Sequence, residues 1–490
     1  MAFAENETLT DLSLAVFPGS DVTELNFNWV TKYEPYDTLL EIAPAEENFA
    51  SAKKTVTGES SKMAKYDTVD GGKVYWYSNK VTVSGLEPNT VYKYRAGDGD
   101  CWSEIKTVKT GSDKNVKSYV VTDVHIISSE VGKPLQESID NWGKTLALLN
   151  ELDRADMILS LGDQVQNTGD TDYMEGFYNQ GALSGYVLAP IDGNHDLSPM
   201  SNNPKAFSNV PNSQPNGAAW GIGDYYFKSG NVLFVMLSLT DVNFNNTNHG
   251  ATFEAAIEAY PDYDWLVVGL HESIYGLYMY NQANIGSEAP EAYHNRIYGS
   301  FISVIEEYEV DLVMTGHSHN YARSHFMKDG EIQTVEKNES GQFVDPSGTI
   351  WVNMSTSSRQ AWAPGQSAKP GFPWSWLDFY YSATSGVSAF GVLETARNEL
   401  TLSSYYMFEP ETAIDSFTIV KTSIEYEEDS LPPPDTDLDK NNSGSGQSPA
   451  TDDKNKTNPL VYVAAGVGAA ALGVAGYAVY LFIKAKKTKQ

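Results

Sequence analysis

Five short polar motifs follow one another along the chain: Asp123-Val124-His125, Gly162-Asp163, Gly193-Asn194-His195-Asp196, Val268-Gly269-Leu270-His271 and Gly316-His317-Ser318-His319. Two carboxylates, one amide and four imidazoles drawn from this set could satisfy two hard-to-borderline divalent cations. The i,i+2 spacing of Asp123 with His125, and of His317 with His319, puts each pair on one side of an extended segment. A glycine before Asp163, Asn194 and His317 leaves the backbone room to turn beside a crowded site. Taken singly, Gly162-Asp163 is an ordinary strand-end turn, and a lone His271 reads as a core histidine. Five motifs that use five of the eight histidines leave little room for a metal-free explanation. The other three, His249, His294 and His325, read as surface or pocket residues.

The elements that must position these motifs are apolar runs that end in them. Ser118-Tyr-Val-Val-Thr122, Met157-Ile-Leu-Ser-Leu161, Tyr186-Val-Leu-Ala-Pro-Ile191, Asp264-Trp-Leu-Val-Val-Gly-Leu270 and Val310-Asp-Leu-Val-Met-Thr315 read as buried strands, with a helical pattern over 135–152 between the first two. Strands interleaved with helices predict an α/β layered domain with ligands at the carboxyl ends of its strands. Ahead of it, 11–112 reads as all-β, with short alternating stretches such as Lys73-Val-Tyr-Trp-Tyr77 bounded by Gly, Asp and Asn. Its Val83-Ser-Gly-Leu-Glu-Pro-Asn-Thr-Val-Tyr92 stretch is similar to the fibronectin type III pattern, in which such a turn pins the tyrosine of a corner between strands.

The motif set resembles the calcineurin-like metallophosphoesterase family over about 114–423, and a small β-sandwich ahead of the catalytic domain resembles the arrangement in purple acid phosphatases. The resemblance implies a layered two-sheet α/β/β/α domain over 113–425 and hydrolysis of phosphate esters by a hydroxide shared between two metals. By the same resemblance, Asp123, His125, Asp163 and His319 hold the first metal. Asp163 bridges to a second held also by Asn194, His271 and His317. His195 binds no metal in that pattern; it stabilises the transition state or protonates the leaving oxygen, with Asp196 orienting its ring. Purple acid phosphatases carry Asp-x-Gly first and Gly-Asp-x-x-Tyr second, the tyrosine binding ferric iron. Here those positions are His125 and Gln166. The expected cofactors are therefore two divalent ions, manganese, zinc or ferrous iron, rather than ferric iron on tyrosinate. Substrate contacts are expected from the loops after the motifs: Tyr321 and Arg323, Trp220 within 198–223, and the five tyrosines of 275–298. Those rings either stack on a base or sugar or pack the loops.

A net charge of -31 over 490 residues argues against nucleic-acid polymers and anionic membranes as partners, and the resemblance implies a small phosphorylated substrate. One cysteine, Cys101, excludes an intrachain disulfide. Segment 426–458 is acidic, then Pro-, Ser- and Gly-rich, and too polar to fold, so it reads as a stalk. The uncharged apolar run 459–483 is long enough to span a bilayer, and the lysine-bearing tail 484–490 marks the cytoplasmic side. Met1-Ala2-Phe3-Ala4-Glu5 reads either as the remnant of a removed signal peptide or as a disordered N-terminus without meaning. Together these features predict a bacterial cell-surface enzyme anchored by one transmembrane helix. The alternative is an inactive surface adhesin on the same scaffold; a full ligand set argues against it, since decayed enzymes lose ligands first.

Overall fold

The computed structural model describes residues 8–9, 12–127, 134–197, 203–216, 221–238, 248–276, 290–358, 375–381 and 388–425. The chain divides into two units, Met1–Glu427 and Glu428–Gln490, and every described residue lies in the first. The expected stalk, apolar span, basic tail and signal remnant, as well as Trp220, lie outside the described residues. Among the described residues no helix is long and apolar enough to cross a membrane.

Two sheets build the region that carries the five motifs. In the first, strands Lys117–Val121, Met157–Ser160 and Val187–Pro190 run parallel, with Tyr119 opposite Ile158 and Ile158 opposite Leu188. In the second, Val232–Met236, Trp265–Gly269, Leu312–Thr315 and Thr349–Asn353 run parallel. Side chains alternate between faces along each strand, and the burial follows that period. Val120, Leu159, Ala189, Phe234, Val267, Met314 and Val352 share one core between the sheets. Their neighbours Tyr119, Val121, Ile158 and Leu188 pack outward against Trp142, Leu146 and Leu149 of helix Leu135–Leu152. On the far side Val235, Leu266, Val268 and Val313 meet Phe253 of helix His249–Ala259, and Phe301 and Ile305 of helix Pro290–Glu307. The layers therefore run helix, sheet, sheet, helix, because near-continuous apolar strands bury both faces.

Trp142 shows what fixes the helix over the first sheet. Its indole is fully buried, stacks on Phe177 at 5.2 Å and donates Nε1–H to the Phe177 carbonyl. Truncating such a side chain costs about 3–5 kcal/mol.

The N-terminal β region carries the expected corner, with the Tyr92 hydroxyl accepting from the Glu87 N–H at 2.8 Å. It is not a free-standing sandwich, however. Strand Ala15–Pro18 pairs in parallel with Val187–Pro190, so Glu24–Thr31, Gly72–Ser84 and Glu59–Val69 belong with the first sheet, which has eleven strands. Sequence alternation announces strands but not which distant strand completes an edge. Pairing of Val16 with Val187 removes an exposed edge.

Candidate metal centre

All five motifs fall at the carboxyl ends of parallel strands, and backbone hydrogen bonds lace the turns together. Asp123 N–H donates to Gly162 O at 3.0 Å, His125 N–H to Asp163 O at 2.9 Å, and Gly316 N–H to His271 O at 3.0 Å. Asp123, His125, Asp163, His317 and His319 all adopt positive φ, between 49° and 72°. A non-glycine residue in that region costs of order 1–2 kcal/mol, and strain of this kind clusters at functional sites. Gly162, at φ +93°, cannot carry a side chain, since a Cβ there would come within 2.5 Å of the His271 ring. Cβ atoms on Gly193 and Gly316 would collide with Asp163 and with Thr122 and Asp123.

Among the described residues, three clusters of side chains could each hold a cation: Asp123, His125 and His319; His125, Asp163 and His195; Asp163, His271 and His317. His125 belongs to two of them, and so does Asp163. Its Oδ1 accepts the His195 N–H at 2.8 Å, while Oδ2 lies 3.5 Å from His125 Nε2 and 3.2 Å from His271 Nε2. His319 Nε2 is 3.1 Å from Asp123 Oδ1 and 3.1 Å from His125 Nε2. Asn194 Oδ1 lies 2.9 Å from His317 Nδ1, so all seven expected ligands are brought together.

The donor set fits cations. His271 Nδ1 lies 2.7 Å from Leu161 O and donates to it, which makes Nε2 the free lone pair. That lone pair faces Asp163 Oδ2, another acceptor, and buried Asp123 Oδ1 and His271 Nε2 have no directed hydrogen bond. Only a cation or a proton reconciles acceptors turned on one another. The electrostatics agree. Burial alone would raise Asp163, but His271 and then His125 override it and hold the carboxyl well below its ordinary range. Burial would lower His271, yet Asp163 outweighs it and pushes the imidazole up to about 10. A bound metal displaces such a proton.

His195 differs. Burial lowers its pKa, which keeps it neutral, and its ring packs edge-on against His125 at 5.0 Å. Asp196 was expected to orient that ring, and the structure assigns the carboxylate elsewhere. Asp196 accepts from the backbone N–H groups of Gly193, Gln164 and Val165, pinning the turn. The ring is held by Gln166 instead, whose carbonyl and side-chain amide lie 3.1 and 3.0 Å from Nδ1.

Tyr321 and Arg323 are not available to a substrate. Tyr321 is fully buried with its hydroxyl donating to Asp415 at 3.0 Å. The Arg323 guanidinium is gripped by Asp415, at 2.6 Å from Nε, and by Asp378. Removing one partner of a buried charge cluster costs about 3–5 kcal/mol. Arg323→Ala is therefore expected to lower the melting temperature while leaving KM unchanged. A raised KM at unchanged stability would restore the substrate role. His249 and His294 are buried rather than superficial: His249 Nδ1 meets Asp224 at 2.8 Å, and His294 lies among Tyr275, Trp376 and Tyr298. Most of the tyrosine-bearing loop, 277–289, lies outside the described residues.

Other residues that hold the site had not been singled out. Thr122 Oγ1 donates to Asp123 Oδ2 at 2.8 Å, and Thr356 Oγ1 to Asp123 O at 2.7 Å. Ser357 Oγ accepts the Thr122 N–H at 3.2 Å. The hydroxyl run Ser355-Thr-Ser-Ser358, directly after an apolar strand, was the available signal.

Residues 13–110 match the purple acid phosphatase N-terminal domain, and residues 116–321 match the calcineurin-like phosphoesterase family. Among solved structures, the fold is similar to the purple acid phosphatase PPD1 from yellow lupin (Lupinus luteus) seeds. The TM-score is 0.64 at 15% identity, over 84% of this chain and 74% of that one. It is also similar to PhoD, with a TM-score of 0.52 at 14% identity over 87% of this chain and 97% of that one. No curated protein matches in sequence. The two matches thus follow one another along the chain, a purple acid phosphatase-type N-terminal domain first and a calcineurin-like phosphoesterase second, between residues 13 and 321.

Proposed function

We propose that the protein is a metal-dependent phosphoesterase that hydrolyses phosphate esters of small molecules with two divalent cations. The observation that carries this reading is the placement of Asp163 Oδ2 between the imidazoles of His125 and His271, 3.5 and 3.2 Å away. Asp123, His125, Asp163 and His319 would hold one cation, and Asp163, Asn194, His271 and His317 the other. When bound, such a pair neutralises phosphoryl oxygens and lowers the pKa of water. The chain's own part is to fix this cluster on strained turns and to offer the neutral His195 for hydrogen bonding to the phosphoryl group or the leaving oxygen. Gln166 stands where a tyrosine would bind ferric iron, and it contacts His195. An amide there has no ionisable oxygen to give ferric iron, which favours manganese, zinc or ferrous iron. The uncharged run 460–483 and the lysines after it support a membrane-anchored, extracellular enzyme.

A panel of phosphomonoesters, phosphodiesters and nucleotides, assayed with and without chelator, tests the reading. Hydrolysis that chelation abolishes and manganese or zinc restores is expected, from protein without an intense visible absorption band. Chelator-resistant hydrolysis, or none with any ester, would contradict it.

A further inference from the structure

We infer that Glu272 is a positioning residue for the second cation: it holds the far nitrogen of the His317 ring so that the near nitrogen faces the metal. This rests on the two-cation reading above. His317 turns its two ring nitrogens toward different partners. Nδ1 lies 2.9 Å from Asn194 Oδ1, and Nε2 lies 3.7 Å from Glu272 Oε2. An asparagine can ligate a hard cation only through its oxygen, so the nitrogen beside that oxygen is the one on the cation side. Once Nδ1 gives its lone pair to a cation, the neutral ring carries its proton on Nε2. That proton then points toward the carboxylate of Glu272.

A carboxylate behind a metal-ligating histidine fixes the tautomer and ring orientation and raises the basicity of the ligating nitrogen. His317 needs such support. Its backbone sits in the left-handed region at φ 72°, its side chain is 19% exposed, and its ring meets His271 edge-on at 5.2 Å. Glu272 is itself 17% exposed, and its Oε2 stands at ion-pair distance from the ring. It directly follows His271, and the Gly316 N–H to His271 O bond joins the two turns. One turn thus supplies both a ligand and the holder of the next ligand.

The test is a manganese titration of the chelator-stripped full chain by calorimetry. The wild type is expected to take up two equivalents. In Glu272→Ala one equivalent should bind about 10–100-fold more weakly, the loss typical of an outer partner of a metal ligand. The other should bind as in the wild type, and the melting temperature of the stripped protein should not move. Glu272→Gln, which keeps an acceptor oxygen, should recover most of the affinity. Glu272→Ala with both equivalents at wild-type affinity, or with both weakened equally, would overturn the inference. A wild type that binds fewer than two equivalents would instead overturn the two-cation reading, whatever Glu272 does.

Discussion

Asp163→Asn is expected to lose both cations and to lower kcat by more than about 100-fold, the upper loss seen when even an outer partner of a metal ligand is mutated. The substitution preserves shape and removes charge, so it separates electrostatics from packing. Asp163 is buried, its Oδ1 is committed to the His195 N–H, and its Oδ2 alone lies between the two groups of imidazoles. In the proposed two-cation reading every other ligand serves one cation. Their single losses should leave the second cation in place, whereas an amide at 163 weakens both. Metal content measured on the purified variant decides the matter. Two tightly held equivalents would remove Asp163 from the bridging position.

His195→Ala should lower kcat by about 10²–10⁴-fold, the range for a positioned acid or base, with little change in metal content. The ring is half-buried and neutral, lies beside His125, and is steadied at Nδ1 by Gln166. Its nearness to His125 and Asp163 would also allow it to ligate a cation. Metal analysis therefore has to accompany the kinetics. If metal and rate fall together, His195 is a ligand and the acid role is lost. Leaving-group dependence sharpens the point: esters of strongly acidic alcohols, which leave without a proton, should suffer least from the substitution.

The clustering of the candidate ligands was legible because each motif stands at, or one residue beyond, the end of an apolar run. Parallel strands place such ends on one edge of a sheet, and adjacent strands bring them within reach of one another. The layering was legible for the same reason, through alternation at Tyr119, Val120 and Val121. Contacts that depend on distant partners were not. Arg323 follows the last histidine closely and so read as a substrate contact, but Asp415, 92 positions away, claims it. Asp196 neighbours His195 in sequence, yet its carboxylate turns toward three backbone N–H groups while Gln166, 29 positions away, meets the ring. Glu272 carried no signal beyond standing next to a motif. Ala15–Pro18 read as part of a separate sandwich, because nothing local to it reports the partner strand Val187–Pro190.

The measurement that bears most directly on the proposed two-cation phosphoesterase activity is the return of hydrolysis as manganese is added in known amounts to chelator-stripped protein. The account predicts negligible activity without metal and a plateau reached only when two equivalents per chain are bound. A plateau at one equivalent, or full activity with none, would contradict it.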